Sequence, residues 1–147
     1  MRLKDVAVGL SRITGKAEQL LDNAAVVSLG DGTEIYLEYL KDRDELYMYS
    51  NVATVSEDRL GKYALSMLKA NHLGNETGGS AVLAYDPDES RVVVWDRMSL
   101  SATDENEFRE RFSLMYLARI HWANRVRKDL LGGDNYDVAG ISAALCN

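Results

Sequence analysis

The side chains able to do chemistry near neutral pH are few. His72 and His121 are the two histidines, the residues whose ordinary titration falls closest to physiological pH. Neither sits in an HExxH pattern or has a second ligand at metal-binding spacing, so the sequence points to no metal site. Carboxylates group at Asp42/Asp44, Asp86/Asp88/Glu89 and Asp104/Glu105/Glu107. Each group falls in an expected turn or helix start, where such residues form Asx turns or complement the helix dipole. A catalytic carboxylate needs burial to raise its pKa, and residues 86–90 lack the ligand spacing of a calcium loop. The serines include no G-x-S-x-G elbow. Cys146 is the single cysteine, which excludes an intrachain disulfide and a thiolate cluster. The reading is of a chain with no catalytic residues and no cofactor.

The link Gly74-Asn75-Glu76-Thr77-Gly78-Gly79 is rich in glycine. A phosphate cradle runs strand, glycines, helix, so that free N–H groups at a helix N-terminus face the anion. Here an apolar helix precedes the glycines, and an anion would meet the carbonyl end of the dipole. These glycines therefore read as a helix stop. The alternative is a small enzyme that uses the 74–79 link and His72 to bind a nucleotide or acyl substrate.

The elements around these residues follow from periodicity. Leu3, Val6, Leu10 and Ile13 recur at three- and four-residue steps, one face of a helix that stops at Gly15. Residues 24–30 read as a strand, Asp31-Gly32 as a two-residue hairpin turn, and residues 33–40 as the return strand. A charged turn at 41–44 leads to a third strand over 45–51, completing an antiparallel meander. Thr54 and Glu57 fit a capping box for a second helix from about Val55, with a core stripe of Leu60, Tyr63, Ala64, Met67 and Leu68 and with Leu65 off it. Two further strands, 81–85 and 91–98, form a hairpin around Pro87. Ser101 or Thr103 can cap a final helix through Phe108, Phe112, Met115, Trp122 and Val126, with Leu114, Leu117 and Ile120 widening its apolar stripe. The expectation is an α+β fold: helix, three strands, helix, two strands, helix, with helices packed on antiparallel sheet. It occupies residues 1–128, and residues 129–147 form a C-terminal tail of unassigned role.

Composition bounds the partners. The chain has 147 residues, 46% hydrophobic and 27% charged, with net charge −6, as expected of one soluble domain. An acidic balance argues against nucleic acid and against an anionic membrane surface. No apolar run reads as a signal peptide or membrane span, and a cytoplasmic location is expected. Tyr36, Tyr39, Tyr47 and Tyr49 lie on neighbouring strands, so alternation places them on both faces of the sheet. They read either as cross-strand pairs or as an aromatic surface for binding protein.

Several motifs in fixed order carry a family resemblance. The helix end Leu68-Lys69-Ala70-Asn71-His72-Leu73-Gly74, then Thr77-Gly78-Gly79, then a strand and Asp86-Pro87-Asp88, together with the hairpin Asp31-Gly32-Thr33-Glu34-Ile35-Tyr36-Leu37-Glu38-Tyr39, resemble the class I chaperones of bacterial type III secretion over residues 1–128. The resemblance implies a homodimer in the bacterial cytoplasm that holds the N-terminal region of a secreted effector in extended form, without ATP. It places the effector in grooves beside the first helix and sheet, implying Leu3, Val6, Leu10, Ile13, Ile35 and Leu37 as contact residues. It places the two-fold interface on the second helix and second hairpin, implying Leu65, Leu68 and Trp95. A regulatory adaptor on the same fold, binding a transcription factor or secretion component, is the other reading it leaves open.

Overall fold

A computed structural model describes residues 1–74 and 76–130. The tail expected over 129–147 lies outside the described residues from 131 onward, and so does Cys146. The described elements are α1 (Leu3–Thr14), β1 (Ala24–Ser28), β2 (Glu34–Leu40), β3 (Glu45–Thr54), α2 (Glu57–Asn71), β4 (Val82–Asp86), β5 (Arg91–Ser99) and α3 (Glu105–Leu130). The element order is the expected one, and the fold is α+β. The final helix runs two residues past the expected boundary at 128.

The strands form one antiparallel sheet in the order β1-β2-β3-β5-β4. Successive side chains of a strand point to opposite faces, and here the faces have different fates. Ile35 and Leu37, Leu46 and Met48, Val92, Val94 and Met98 point to a buried face. α1 and α3 cover it with Val6, Leu10, Phe108, Phe112, Met115 and Trp122. The two helices approach closely because Gly9 faces the Phe108 ring; a Cβ there would lie 3.1 Å from it. Arg12 and Glu105 add an ion pair across the same crossing. α2 sets Tyr63, Met67 and Ala70 inward and flanks β4. The opposite sheet face carries no helix among the described residues.

Local chemistry sets the boundaries, sometimes differently from the sequence reading. Gly15 ends α1 in the left-handed region at φ 69°, its N–H donating to the Ser11 carbonyl, a helix stop that glycine adopts at little cost. The first hairpin is a three-residue loop rather than a two-residue turn: the Leu29 N–H donates to the Thr33 carbonyl at 2.8 Å. Gly32 takes positive φ and the Asp31 carboxylate accepts from the Thr33 N–H at 2.9 Å. β3 runs on to Thr54, since pairing with β5 continues past a register shift between Asn51 and Ala53. α2 consequently starts at Glu57 behind Ser56, and no Thr54–Glu57 capping box forms. Leu68 is not in its buried stripe; Ala70 is. Asp104 holds the first turn of α3 by accepting the Glu107 N–H at 2.8 Å. Ser101 and Thr103 are engaged elsewhere.

Two side-chain clamps fix the sheet to its surroundings. Asn71, the last residue of α2, bonds both ways to Leu83 on the outer edge of β4: its Oδ1 accepts the Leu83 N–H at 2.8 Å and its Nδ2 donates to the Leu83 carbonyl at 2.9 Å. A side-chain amide thus pairs with this strand edge as another strand would. Asp44, left-handed at φ 54°, ties the β2–β3 turn to the β5–α3 loop. Its carboxylate accepts from Ser101 Oγ at 2.6 Å, Ser99 Oγ at 2.7 Å, the Ser101 N–H at 3.0 Å and the Tyr39 hydroxyl at 3.1 Å. These donors, Ser101 foremost, hold its carboxyl well below the usual carboxylate range.

Asn71→Ala should therefore leave two backbone groups of Leu83 unpaired and lower stability by about 1–3 kcal/mol in urea titrations. Asp44, lowered in the folded state, supplies stability that is complete above its unfolded pKa and is lost as pH falls below that value. Asp44→Asn should accordingly flatten the acid limb of the stability–pH curve below about pH 4.

Candidate functional site

The uncovered sheet face carries a row that crosses all five strands. Register pairs Val26 with Tyr36, Tyr36 with Tyr49, Tyr49 with Trp95, and Trp95 with Val82. All five side chains point away from α1 and α3. Tyr36 and Tyr49 stack with ring centroids 5.0 Å apart, and Tyr47 stacks on Trp95 at 6.1 Å. A shallow depression of about 410 Å³ lies between Tyr47, Tyr49, Val93 and Trp95. The tyrosines thus divide as alternation requires, with Tyr36, Tyr47 and Tyr49 on the open face and Tyr39 packed against the core. They form cross-strand pairs and an aromatic surface at once.

At one end of this row the sheet edge is open. The Leu29/Thr33 and Asn23/Tyr39 contacts are hydrogen-bonded. Because bonded and non-bonded pairs alternate in an antiparallel ladder, the backbone groups of Ala24, Val26 and Ser28 face outward. Ala24 closes back on Leu21. No hydrogen bond among the described residues closes Val26 or Ser28. Val26 is 52% exposed, and Val8 on α1 and Leu21 before β1 are exposed as well. On the far edge, β4, Asn71 closes the outward groups of Leu83.

The residues singled out from the sequence fall into three groups. Val6, Leu10, Ile35 and Leu37 are closed into the core and present no surface in this state. Leu3 and Ile13 are half-buried at its margin. Leu65 and Leu68 are 62% and 68% exposed on α2, and Trp95 is half-buried on the open face. These last three keep surface, and all lie on α2 and the β4–β5 hairpin. The sequence reading missed Val8, Leu21 and Val26; the signal for Val8 and Val26 was an apolar residue at an outward position of the α1 and β1 periodicities, and Leu21, in the loop between them, had none.

The polar groups have structural work. Asp96, 3% exposed, receives Arg111 Nε at 2.9 Å and Nη2 at 2.7 Å, Ser80 Oγ at 2.8 Å and the Arg97 N–H at 2.8 Å. This saturates a buried carboxylate and fastens α3 and the loop before β4 to β5. The glycine link folds onto itself: a Cβ on Gly74 would stand 2.2 Å from the Gly79 carbonyl oxygen. His72 and His121 are both exposed, and His121 rests edge-on against Trp122 at 5.9 Å. Among the described residues no cluster of three metal-ligating side chains forms, and no helix is long and apolar enough to cross a membrane.

The comparisons with known proteins agree with this architecture. Sequence comparison with curated proteins returns no match. The crystal structure of the ExsC–ExsE complex contains a chain superposing with TM-score 0.63 at 16% identity, covering 83% of this chain and 93% of that one. A chain of the heterodimeric ExoU–SpcU complex from the type III secretion system of Pseudomonas aeruginosa gives 0.64 at 15% identity, covering 81% and 95%. YbjN of E. coli, described as a candidate transcription regulator, gives 0.59 at 16% identity, covering 86% and 94%. At such identities these likenesses establish a shared fold. A model of the Tir chaperone protein (CesT) family matches residues 8–123, from the second turn of α1 into α3, and the chain belongs to that family.

Proposed function

We propose that this protein is a type III secretion chaperone that binds the N-terminal region of a secreted effector in extended form. The observation that carries the reading is a family match spanning nearly every described element, on a sheet whose β1 edge and one whole face are uncovered. An extended peptide adds to an open edge by main-chain hydrogen bonds and places alternate side chains against neighbouring apolar surface. The outward groups of Val26 and Ser28 supply the bonds. Val26 and Leu21 supply apolar surface at the edge itself and Val8 supplies it on the helix-covered side, where Leu3 and Ile13 border the core of Val6, Leu10, Ile35 and Leu37. Each net backbone bond contributes only about 0.5–1.5 kcal/mol. Apolar anchors buried at roughly 25 cal/mol per Å² must therefore supply most of the affinity, against the cost of ordering the bound segment.

The protein acts in the bacterial cytoplasm as a homodimer through Leu65, Leu68 and Trp95. Exposed leucines on α2, beside the β4–β5 hairpin that carries Trp95, support this surface. Capture uses no ATP, since binding energy alone holds the segment. The family, and a glycine link that follows a helix C-terminus instead of preceding an N-terminus, favour a binding protein over a nucleotide- or acyl-binding enzyme. YbjN, with the same fold, keeps the adaptor reading as the second one, and the partner recovered in a pulldown separates the two.

Co-expression with the product of a neighbouring effector gene should yield a copurifying complex. Val26→Arg with Val8→Asp should reduce capture at least tenfold while circular dichroism and Tm stay near those of the parent protein. Failure of any secreted protein's N-terminal region to copurify with folded protein would count against the proposal.

Leu65→Asp with Leu68→Asp should halve the mass seen by light scattering and leave the fold intact. In acrylamide quenching the parent dimer should shield Trp95, whereas the double variant should show one accessible tryptophan, Trp95, beside buried Trp122.

A further inference from the structure

Charge is unevenly placed around the β1 edge. Residues 17–40, which hold β1, β2 and their connections, contain Glu18, Asp22, Asp31, Glu34 and Glu38 and no Lys or Arg, against a net charge of −6 for the whole chain. Elsewhere on the open sheet face the carboxylates have cations. Glu45 pairs with Arg97 at 3.4 Å, and Asp86 and Glu89 lie 3.9 and 3.5 Å from Arg91. Glu34 and Glu38, both exposed, enter none of the ion pairs among the described residues. The Glu34 carboxylate is nevertheless held in place. The Tyr36 hydroxyl donates to its Oε2 at 2.8 Å, and the Tyr36 ring is itself stacked on Tyr49. Glu34 Oε1 accepts no hydrogen bond among the described residues and can take a second donor.

Register turns this charge into a position. Ser28 lies opposite Glu34, Val26 opposite Tyr36 and Ala24 opposite Glu38. These are the pairs of the β1–β2 ladder without mutual hydrogen bonds, whose side chains approach most closely. A strand added to the outward groups of Val26 and Ser28 sets one residue opposite Ser28 and another, two positions along, opposite Val26, both with side chains on the open face. Ser28 is small, so nothing tall stands between the first of these residues and Glu34. Their backbones would lie about 10 Å apart, a gap that a long cationic side chain and a glutamate close from its two sides. Val26, 52% exposed, and the Tyr36 ring offer the second residue an apolar seat. Glu38 is not reached in this way, because Leu21 already bonds to the outward groups of Ala24.

We propose that the segment received by the β1 edge carries a lysine or arginine opposite Ser28, paired with Glu34, and a large apolar residue two positions away, opposite Val26. The inference rests on the β1-edge reading of the function and names the chemistry which that edge selects. Charge also decides against a second copy of this chain as the occupant. Its own β1, Ala24-Ala25-Val26-Val27-Ser28, has no cation to offer, and pairing two such edges brings two acidic segments together.

Random peptides displayed on phage and selected against the full chain test the pairing and the edge separately. Binders that Val26→Arg protein no longer retains should be enriched in Lys or Arg two positions from a large apolar residue. Selection against Glu34→Lys protein should replace that basic residue by Asp or Glu. With one selected peptide carrying fluorescein, Glu34→Gln should weaken binding about two- to fivefold in anisotropy titrations, the range of an exposed ion pair. Glu38→Gln removes the same charge and should cost clearly less. Edge-dependent binders without a basic preference, or equal losses from Glu34→Gln and Glu38→Gln, overturn the pairing and leave the edge reading standing. Absence of binders, or binders that Val26→Arg protein retains undiminished, counts against the edge itself, and the pairing falls with it.

Discussion

One-sided burial of a five-stranded sheet governs this molecule. Two helices and an edge-flanking third are enough to cover one face, and the largest fully buried side chains among the described residues lie there. What remains on the other face is an aromatic row held in place by the ladder itself: the same hydrogen bonds that register Ile35 and Met48 into the core align Tyr36, Tyr49 and Trp95 opposite them. The alignment of the open face is thus a by-product of core packing. A surface ordered in this way loses little further entropy when a partner settles on it, which is the condition under which a modest apolar patch binds well.

The two sheet edges show how selectively the fold leaves itself open. An unpaired strand edge invites association with any extended chain. β4 is closed at Leu83 by the Asn71 amide, and Gly74 lets the chain fold tightly behind it. β1 has no such device beyond Ala24. Among the described residues β1 thus keeps outward backbone groups at two successive positions, Val26 and Ser28, with exposed Val26 and Leu21 on the same segment.

The element order and most boundaries were legible because each depends on local chemistry: helical steps in α1, the glycine stop at residue 15, and β-branched and aromatic runs around turn residues. The end of β3 was not, because its last residues are strand through pairing with β5, a partner some 40 positions away in sequence. Leu68 and Ala70 exchange burial for a related reason: which flank of α2 faces inward is set by where β4 lies. Asp96 occupies an inward position in the alternation of β5, among Val92, Val94 and Met98, and that misplaced charge was the sequence signal for a buried partner, Arg111. Val6 and Leu10 were correctly apolar-faced, but periodicity does not say whether a stripe meets its own chain or another. Here it meets α3 and the sheet.

The central claim is that the β1 edge receives an extended segment. Amide hydrogen exchange of the protein, alone and in complex with the N-terminal segment of a copurified effector, tests it most directly. The account predicts new protection at the Val26 and Ser28 amides, with the Leu83 amide of β4, already held by Asn71, unchanged. Protection confined to the 74–79 link, or none along β1 in a saturated complex, would contradict it.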